Sequence, residues 1–325
     1  MDYIKNKSAF TEIAYIGYSA IEEIRFQATS GGIGTSVIKM LFEKELIQTS
    51  VTFYFDKIKS KYVPKLIYNF DEYNICGSIY HEIDLIGFLK HNISKIKGNF
   101  ACFSLPCQAR AIRSIIQKAG HECYIIGLTC SSQQTFEATS YLLRRSNISL
   151  IKKIQYRGNG WPSGIVIESE DNKKFFFDNN NSIWTKIFHS RLFIRPKCFK
   201  CQNTLNVFAD ITLADPWLKE YVCSEKIGQT IVIVNNHIGS NLIQNALSFG
   251  YVKLKTIPMD MVYKSQMGTI KRKESYKLNS CLVRKFYRLL QKPIFRKIVL
   301  SAPVFSSYCK FKEKFEAYLL NKNTK

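Results

Sequence analysis

The sequence predicts an α/β protein: a mixed, partly parallel sheet flanked by helices, with a helical, basic C-terminal extension. Three observations predict it. Strand-length apolar runs at residues 99–104 and Cys123–Leu128 alternate with helix-like runs at 108–118 and 134–145. That β-α-β-α order lays strands parallel. An apolar fraction of 46% over 325 residues supplies a sizeable core. Finally, residues 269–325 carry 15 Lys or Arg against 3 Asp or Glu, over half of a net charge of +22. Such a surface suits an anionic membrane, nucleic acid or an acidic protein, and equally a Lys-rich solvated face.

Each element follows in order. Residues 13–17 read as a strand. Ser30-Gly31-Gly32-Ile33-Gly34-Thr35 then opens a helix whose apolar positions Ile33, Val37, Met40 and Leu41 keep helical spacing. Residues 51–55 read as a strand and 84–96 as a helix. In the alternating section, Cys107 and Cys130 immediately follow consecutive strands, where ligand sites of parallel sheets lie. Residues 151–157, 164–168 and 173–177 are short strands joined by turns. The segment 195–201 is a loop, Ile211–Ala214 and 230–235 are strands, and 239–247 is a helix. From about 258 the chain reads as helical pieces broken by Pro293 and Pro303. Two parts result, 1–257 and the extension 258–325.

No run of about 18 apolar residues is present. Residues 1–10 carry charges and no apolar stretch, so no signal peptide is expected and a cytoplasmic location is. The apolar residues scattered among cations in 292–320 suit either a helix lying on anionic lipid at the inner membrane face or a tail packed on the domain.

Ten cysteines in a reducing compartment are expected to be thiols or ligands rather than disulfides. Cys76, Cys102, Cys123 and Cys223 read as packing residues, and Cys281 and Cys309 show no partner spacing. Cys198-x-x-Cys201 can offer two ligands to one metal or to two corners of a cluster, and two more are needed. Cys107 and Cys130 are the candidates, from their strand-end positions. Spacing alone leaves zinc, iron–sulfur and no metal all open.

Other segments have site-like features. Glycines opening a helix expose backbone N–H groups to a phosphate, with Thr29, Ser30 and Thr35 adding hydroxyls, although the segment is neither a dinucleotide fingerprint nor a P-loop. Tyr156-Arg157-Gly158-Asn159-Gly160-Trp161 offers a cation and aromatics to a planar group, or is a plain hairpin turn. Asp215 ends an apolar strand, as a site residue or a turn cap. Five scattered histidines give no support to a hydrolase triad, and no nucleic-acid recognition pattern appears.

Seven segments in order resemble one family, the beta subunit of coenzyme F-420 hydrogenase/dehydrogenase, in the branch associated with bacterial polysaccharide biosynthesis. They are Tyr15-Ile-Gly-Tyr18, Thr29-Ser-Gly-Gly32, Ser104-Leu-Pro-Cys-Gln108, Leu128-Thr-Cys-Ser-Ser132, Arg157-Gly-Asn-Gly-Trp161, Arg195-Pro-Lys-Cys-Phe-Lys-Cys201 and Ala209-Asp-Ile-Thr-Leu-Ala-Asp-Pro-Trp217. The resemblance spans about residues 13–245. It implies a flavoprotein, with FAD or FMN, carrying a 4Fe–4S cluster on Cys107, Cys130, Cys198 and Cys201. It places Thr29, Ser30, Gly31, Gly32, Arg157 and Asp215 near the flavin. It implies electron transfer between an iron–sulfur partner and a small, sugar-related substrate, with deazaflavin F-420 itself left open. Three departures stand out. The family's N-terminal ferredoxin-like cysteines are missing, so an acidic donor such as a ferredoxin is expected. The usual His-Gly is Ser131-Ser132, and the usual Gly-Asp-Phe-Trp is Ala214-Asp-Pro-Trp217. The alternative is a non-catalytic scaffold with a structural metal.

Overall fold

A computed structural model describes residues 13–322. The reading of residues 1–10 as lacking a signal peptide lies outside them.

The strands are β1 (Ile13–Ser19), β2 (Thr49–Asp56), β3 (Lys61–Ile67), β4 (Phe100–Ser104), β5 (Cys123–Leu128), β6 (Ile151–Gln155), β7 (Ile165–Ser169), β8 (Lys174–Phe177), β9 (Ile211–Ala214), β10 (Thr230–Val234) and β11 (Val252–Ile257). Eight form one sheet in the order β11-β1-β10-β9-β5-β4-β2-β3, and β6-β7-β8 form a separate antiparallel one. Pairing is parallel from β2 through β4 and β5 to β9, and antiparallel outside that block. The mixed, partly parallel sheet expected from the β-α-β-α order is therefore present. Ser104, Leu128 and Ala214 end adjacent parallel strands on one edge, and the site is built there.

The helices are α1 (Glu22–Gln27), α2 (Ile33–Glu43), α3 (Leu85–His91), α4 (Ala109–Lys118), α5 (Glu137–Arg145), α6 (Ile183–His189), α7 (Lys219–Ser224), α8 (His237–Ser248), α9 (Met259–Leu278), α10 (Ser280–Leu290), α11 (Pro293–Val299) and α12 (Ala302–Lys322). Strand alternation sends neighbouring residues to opposite faces. Ala101, Ile126 and Val232 meet Val37 and Leu41 of α2 and Leu242 of α8. Cys102 and Ile125 meet Leu89 of α3 and Ile112 and Ile116 of α4. Ile231 and Ile233 meet Val262 of α9. Both faces are thus covered, which is why these strands read as continuous apolar runs.

The extension is helical, as expected, and packed into the fold. Val299, Phe305, Tyr308 and Cys309 join Trp184 and Ile187 in one core, and Tyr276, Val283, Tyr287 and Leu319 join Ile194 and Phe199 in another. Burying an aliphatic or phenylalanine side chain such as Phe305 or Leu319 contributes about 1.5–3 kcal/mol. Phe295, Ile298 and Phe311 stay exposed.

Smaller differences have local causes. The helix expected over 84–96 is α3 plus a 3-10 turn at Ile93–Lys95. β3 contains Pro64 and escaped the sequence reading. It is an edge strand paired only with β2, where a missing N–H is tolerated. Cys223, read as a packing residue, is exposed on α7, whereas Cys76, Cys102 and Cys123 are buried.

Candidate functional site

Four cysteines from three parts of the chain meet beyond the parallel strand ends. Cys107 follows β4, Cys130 follows β5, and Cys198 and Cys201 sit on and just after a 3-10 turn at Pro196–Phe199. That turn stands where the sequence suggested plain loop. The Cys201 amide donates to the Cys198 carbonyl at 3.3 Å, which folds the C-x-x-C into one compact unit. All four line a cavity of about 160 Å³, together with Lys197, Ser132 and Lys273. Among the described residues, no group of three or more His, Cys, Asp or Glu is set to hold a metal ion.

The electrostatics of this cavity follow from burial. Burial pushes the Cys130 thiol up to about 12, helped by Cys198, Cys107 and Cys201 and opposed by Lys273. Burial likewise raises Cys198. Lys273 on α9 donates to the carbonyls of Cys130, at 2.7 Å, and Asn203. Burial lowers the pKa of its ammonium, while the thiols of Cys130 and Cys201 pull it back up. Four thiols lining one cavity beside an enclosed cation would suit a group that takes thiolates, whose negative charge that cation offsets. An iron–sulfur cluster is such a group, since its four thiolates each bind a different iron. Binding would release the thiol protons.

A second, larger cavity of about 810 Å³ adjoins the first. Leu105 and residues 130–133 line both, so one short segment after β5 forms the partition. Ser132 lies in that partition, and its buried hydroxyl has no partner among the described residues.

The glycine segment enters this cavity as follows. Gly32 sits at φ 77°, a left-handed conformation that glycine adopts without strain, and no side chain caps α2. The first amides of α2 therefore lie at a cavity lined by Ile33, Gly34 and Thr35. Thr29, Ser30 and Gly32 also line it; Gly31 does not. Gly31 is buried against β1 and β10, where its amide donates to Thr230 Oγ1 at 2.7 Å and an added Cβ would lie 2.6 Å from the Gly17 carbonyl oxygen. Its role in the structure is close packing.

Arg157 and Asp215 come together from separate sheets. The loop after β6 carries Arg157 across to the end of β9, where its Nη1 donates to Asp215 Oδ2 at 2.5 Å and its Nη2 to the Thr29 carbonyl at 3.0 Å. Both line the large cavity. Burial opposes the Arg157 charge, but Asp215 and then Tyr80 outweigh it, so its pKa rises. The guanidinium also lies 5.6 Å from the centre of the Trp217 ring, which packs on Trp161. Asp215 thus pairs with a cation from another sheet, and its carbonyl accepts from Ser265 and Gln266 of α9.

Sequence reasoning missed the contribution of α9 and of the end of α6 with the turn that follows it. Arg272 and Lys273 belong to a segment whose charge reads as solvated surface. His189 and Arg191 line the large cavity. Burial first, then Arg191, Lys312 and Arg272, push the His189 imidazole down to about 4. No local motif marks these residues; only the packing of the extension brings them here.

The fold and site define a class: α/β proteins that carry a thiol-lined cavity and a larger adjoining one beyond parallel strand ends. The chain belongs to the coenzyme F420 hydrogenase/dehydrogenase beta subunit family. The family model for the beta subunit N-terminus matches residues 14–90, and that for its C terminus matches residues 98–260. A chain of the F420-reducing [NiFe] hydrogenase complex from Methanosarcina barkeri superposes with a TM-score of 0.61 at 17% identity. The superposition covers 82% of this chain and 91% of that one, a likeness of fold. No curated protein matches the chain.

Proposed function

We propose that the protein is an oxidoreductase in which Cys107, Cys130, Cys198 and Cys201 hold an iron–sulfur cluster beside a flavin, with the substrate sharing the flavin's cavity. The observation that carries this reading is the partition: four thiols line one cavity, and the segment holding Cys130 also walls the larger one. Family membership supports a redox role. Together such cofactors supply one-electron and two-electron chemistry.

The chain's own residues bind and orient. The uncapped first turn of α2 offers amides and the positive end of the helix dipole to a flavin phosphate. The Arg157–Asp215 pair, held by Thr29 and α9, fixes one wall. Lys273 offsets the negative charge that thiolates bring. The donor is proposed to be an acidic protein such as a ferredoxin, attracted by the basic surface. A sugar-related substrate in bacterial polysaccharide biosynthesis follows from the resemblance described above, and the flavin is FAD or FMN.

The test is protein purified without oxygen and analysed for iron, zinc and flavin, with its absorbance spectrum. Iron, flavin and absorbance at about 400–450 nm are expected, and Cys198→Ser should lose most of the iron while keeping the fold by circular dichroism. One equivalent of zinc with neither iron nor flavin would overturn this reading and favour the scaffold alternative.

A further inference from the structure

The large cavity has a second anion-seeking wall, apart from the α2 amides. We propose that Arg272, Arg191 and His189 form an oxyanion site for the substrate, which is therefore a small molecule bearing a phosphate or a carboxylate. This deepens the reading of the cavity as a chamber for flavin and substrate, and rests on it.

The charge balance carries the argument. All three residues line the cavity. Arg191 is buried, and its Nε pairs with Glu316 at 3.2 Å. Lys312, behind it, pairs with the same carboxylate at 3.1 Å, and Tyr276 also donates to it. Arg272 has no ion pair among the described residues; its Nη2 reaches the Ser131 carbonyl at 3.4 Å. Three cations thus face one carboxylate. Lys273 does not add to the excess, because it turns to the thiol cavity. Lys264, also on the cavity wall, is paired with Asp260. Partly enclosed guanidinium groups in excess of carboxylates are unfavourable until an anion joins them, and two Arg forks match an oxyanion. His189 lines the same wall, and because burial and the neighbouring cations push its imidazole down to about 4 it would add a ring N–H without adding charge.

Helix α9 sets the spacing. Gln266 contacts the Asp215 carbonyl and Arg272 the Ser131 carbonyl. Six residues of helix separate them, so the two contact points on α9 are about 9 Å apart along the axis, and Arg272 stands beside the partition with the thiol cavity. Because consecutive helical residues point about 100° apart, Arg272 and Lys273 serve the two cavities separately. A volume of about 810 Å³ leaves room for more than one bound group.

The flavin's own phosphate is the other source of the same chemistry, and the experiment separates the two. Inorganic phosphate is titrated calorimetrically into the full-length protein, its Arg272→Met and Arg272→Lys variants, each with and without saturating FAD. Saturable binding is expected in the wild type. Arg272→Met should weaken it about tenfold or more, Arg272→Lys should recover part of the loss, and FAD binding should be unchanged in both. Phosphate binding that persists in FAD-saturated protein supports the substrate assignment; displacement of phosphate by FAD, one for one, overturns it. Absence of saturable binding, or wild-type binding by Arg272→Met, overturns the site altogether. Phosphate binding in a protein that takes up no FAD supports the oxyanion site while sinking the flavin reading.

Discussion

Glu316 carries much of the charge balance behind the cavity, and its protonation should set part of the acid stability. Burial would raise its carboxyl, but Arg191 and Lys312 outweigh that and bring it to about 2. A carboxylate depressed in the folded state stabilises above its unfolded value and loses that contribution as pH falls through the folded one. The window here runs from about 4.5 down to about 2. Glu316→Gln is expected to cost about 3 kcal/mol at pH 7 by urea unfolding and to flatten the stability–pH curve across that window; an unchanged acid slope would refute the assignment. Asp215→Asn leaves the Arg157 guanidinium enclosed without its partner, again a loss of about 3 kcal/mol. Asp215 and Arg157 were recognisable singly as residues beside motifs. Their pairing was not, since 58 residues and a change of sheet separate them.

At the scale of elements, α2 and the strand ends are the parts most exposed to single changes. A Cβ at Gly34 would lie 2.5 Å from the Phe103 ring and 2.7 Å from Leu213. Gly34→Val should therefore push α2 off β4 and β9, destabilising by about 1–3 kcal/mol and weakening FAD binding in a fluorescence titration. Retained affinity with lowered stability would place the flavin phosphate elsewhere. Strands β5 and β9 were legible to the residue because their faces are both buried. Edge strands were less so: β3 carries a proline, and the Val252-Lys-Leu-Lys alternation of β11 was passed over although its period of two was visible.

For the whole molecule, the C-terminal helices bear on both stability and surface contacts. Among the described residues no helix is long and apolar enough to cross a membrane. Ile294, Phe295 and Ile298 are exposed next to Arg296 and Lys297, the pattern that a helix lying on an anionic membrane would present. Sedimentation with acidic liposomes should recover the protein at low salt and lose it at high salt. Ile294→Asp with Ile298→Asp should abolish binding without unfolding; undiminished binding would exclude this face. Deleting residues 302–325 is a poorer test, because it removes Phe305, Tyr308 and Leu319 from two cores and should unfold the chain.

By itself the sequence determined the α/β class, the parallel middle of the sheet, the four thiols as a possible set and the family, because strand alternation, helical spacing and ordered motifs are local signals. Only the tertiary structure decided that those thiols share one cavity, that Gly31 packs rather than lines, that Arg157 pairs with Asp215, and that the basic extension turns Arg272 and Lys273 inward. The reason is physical. A charge count cannot tell a solvated lysine from one enclosed by carbonyls, and only long-range packing decides which cations leave water.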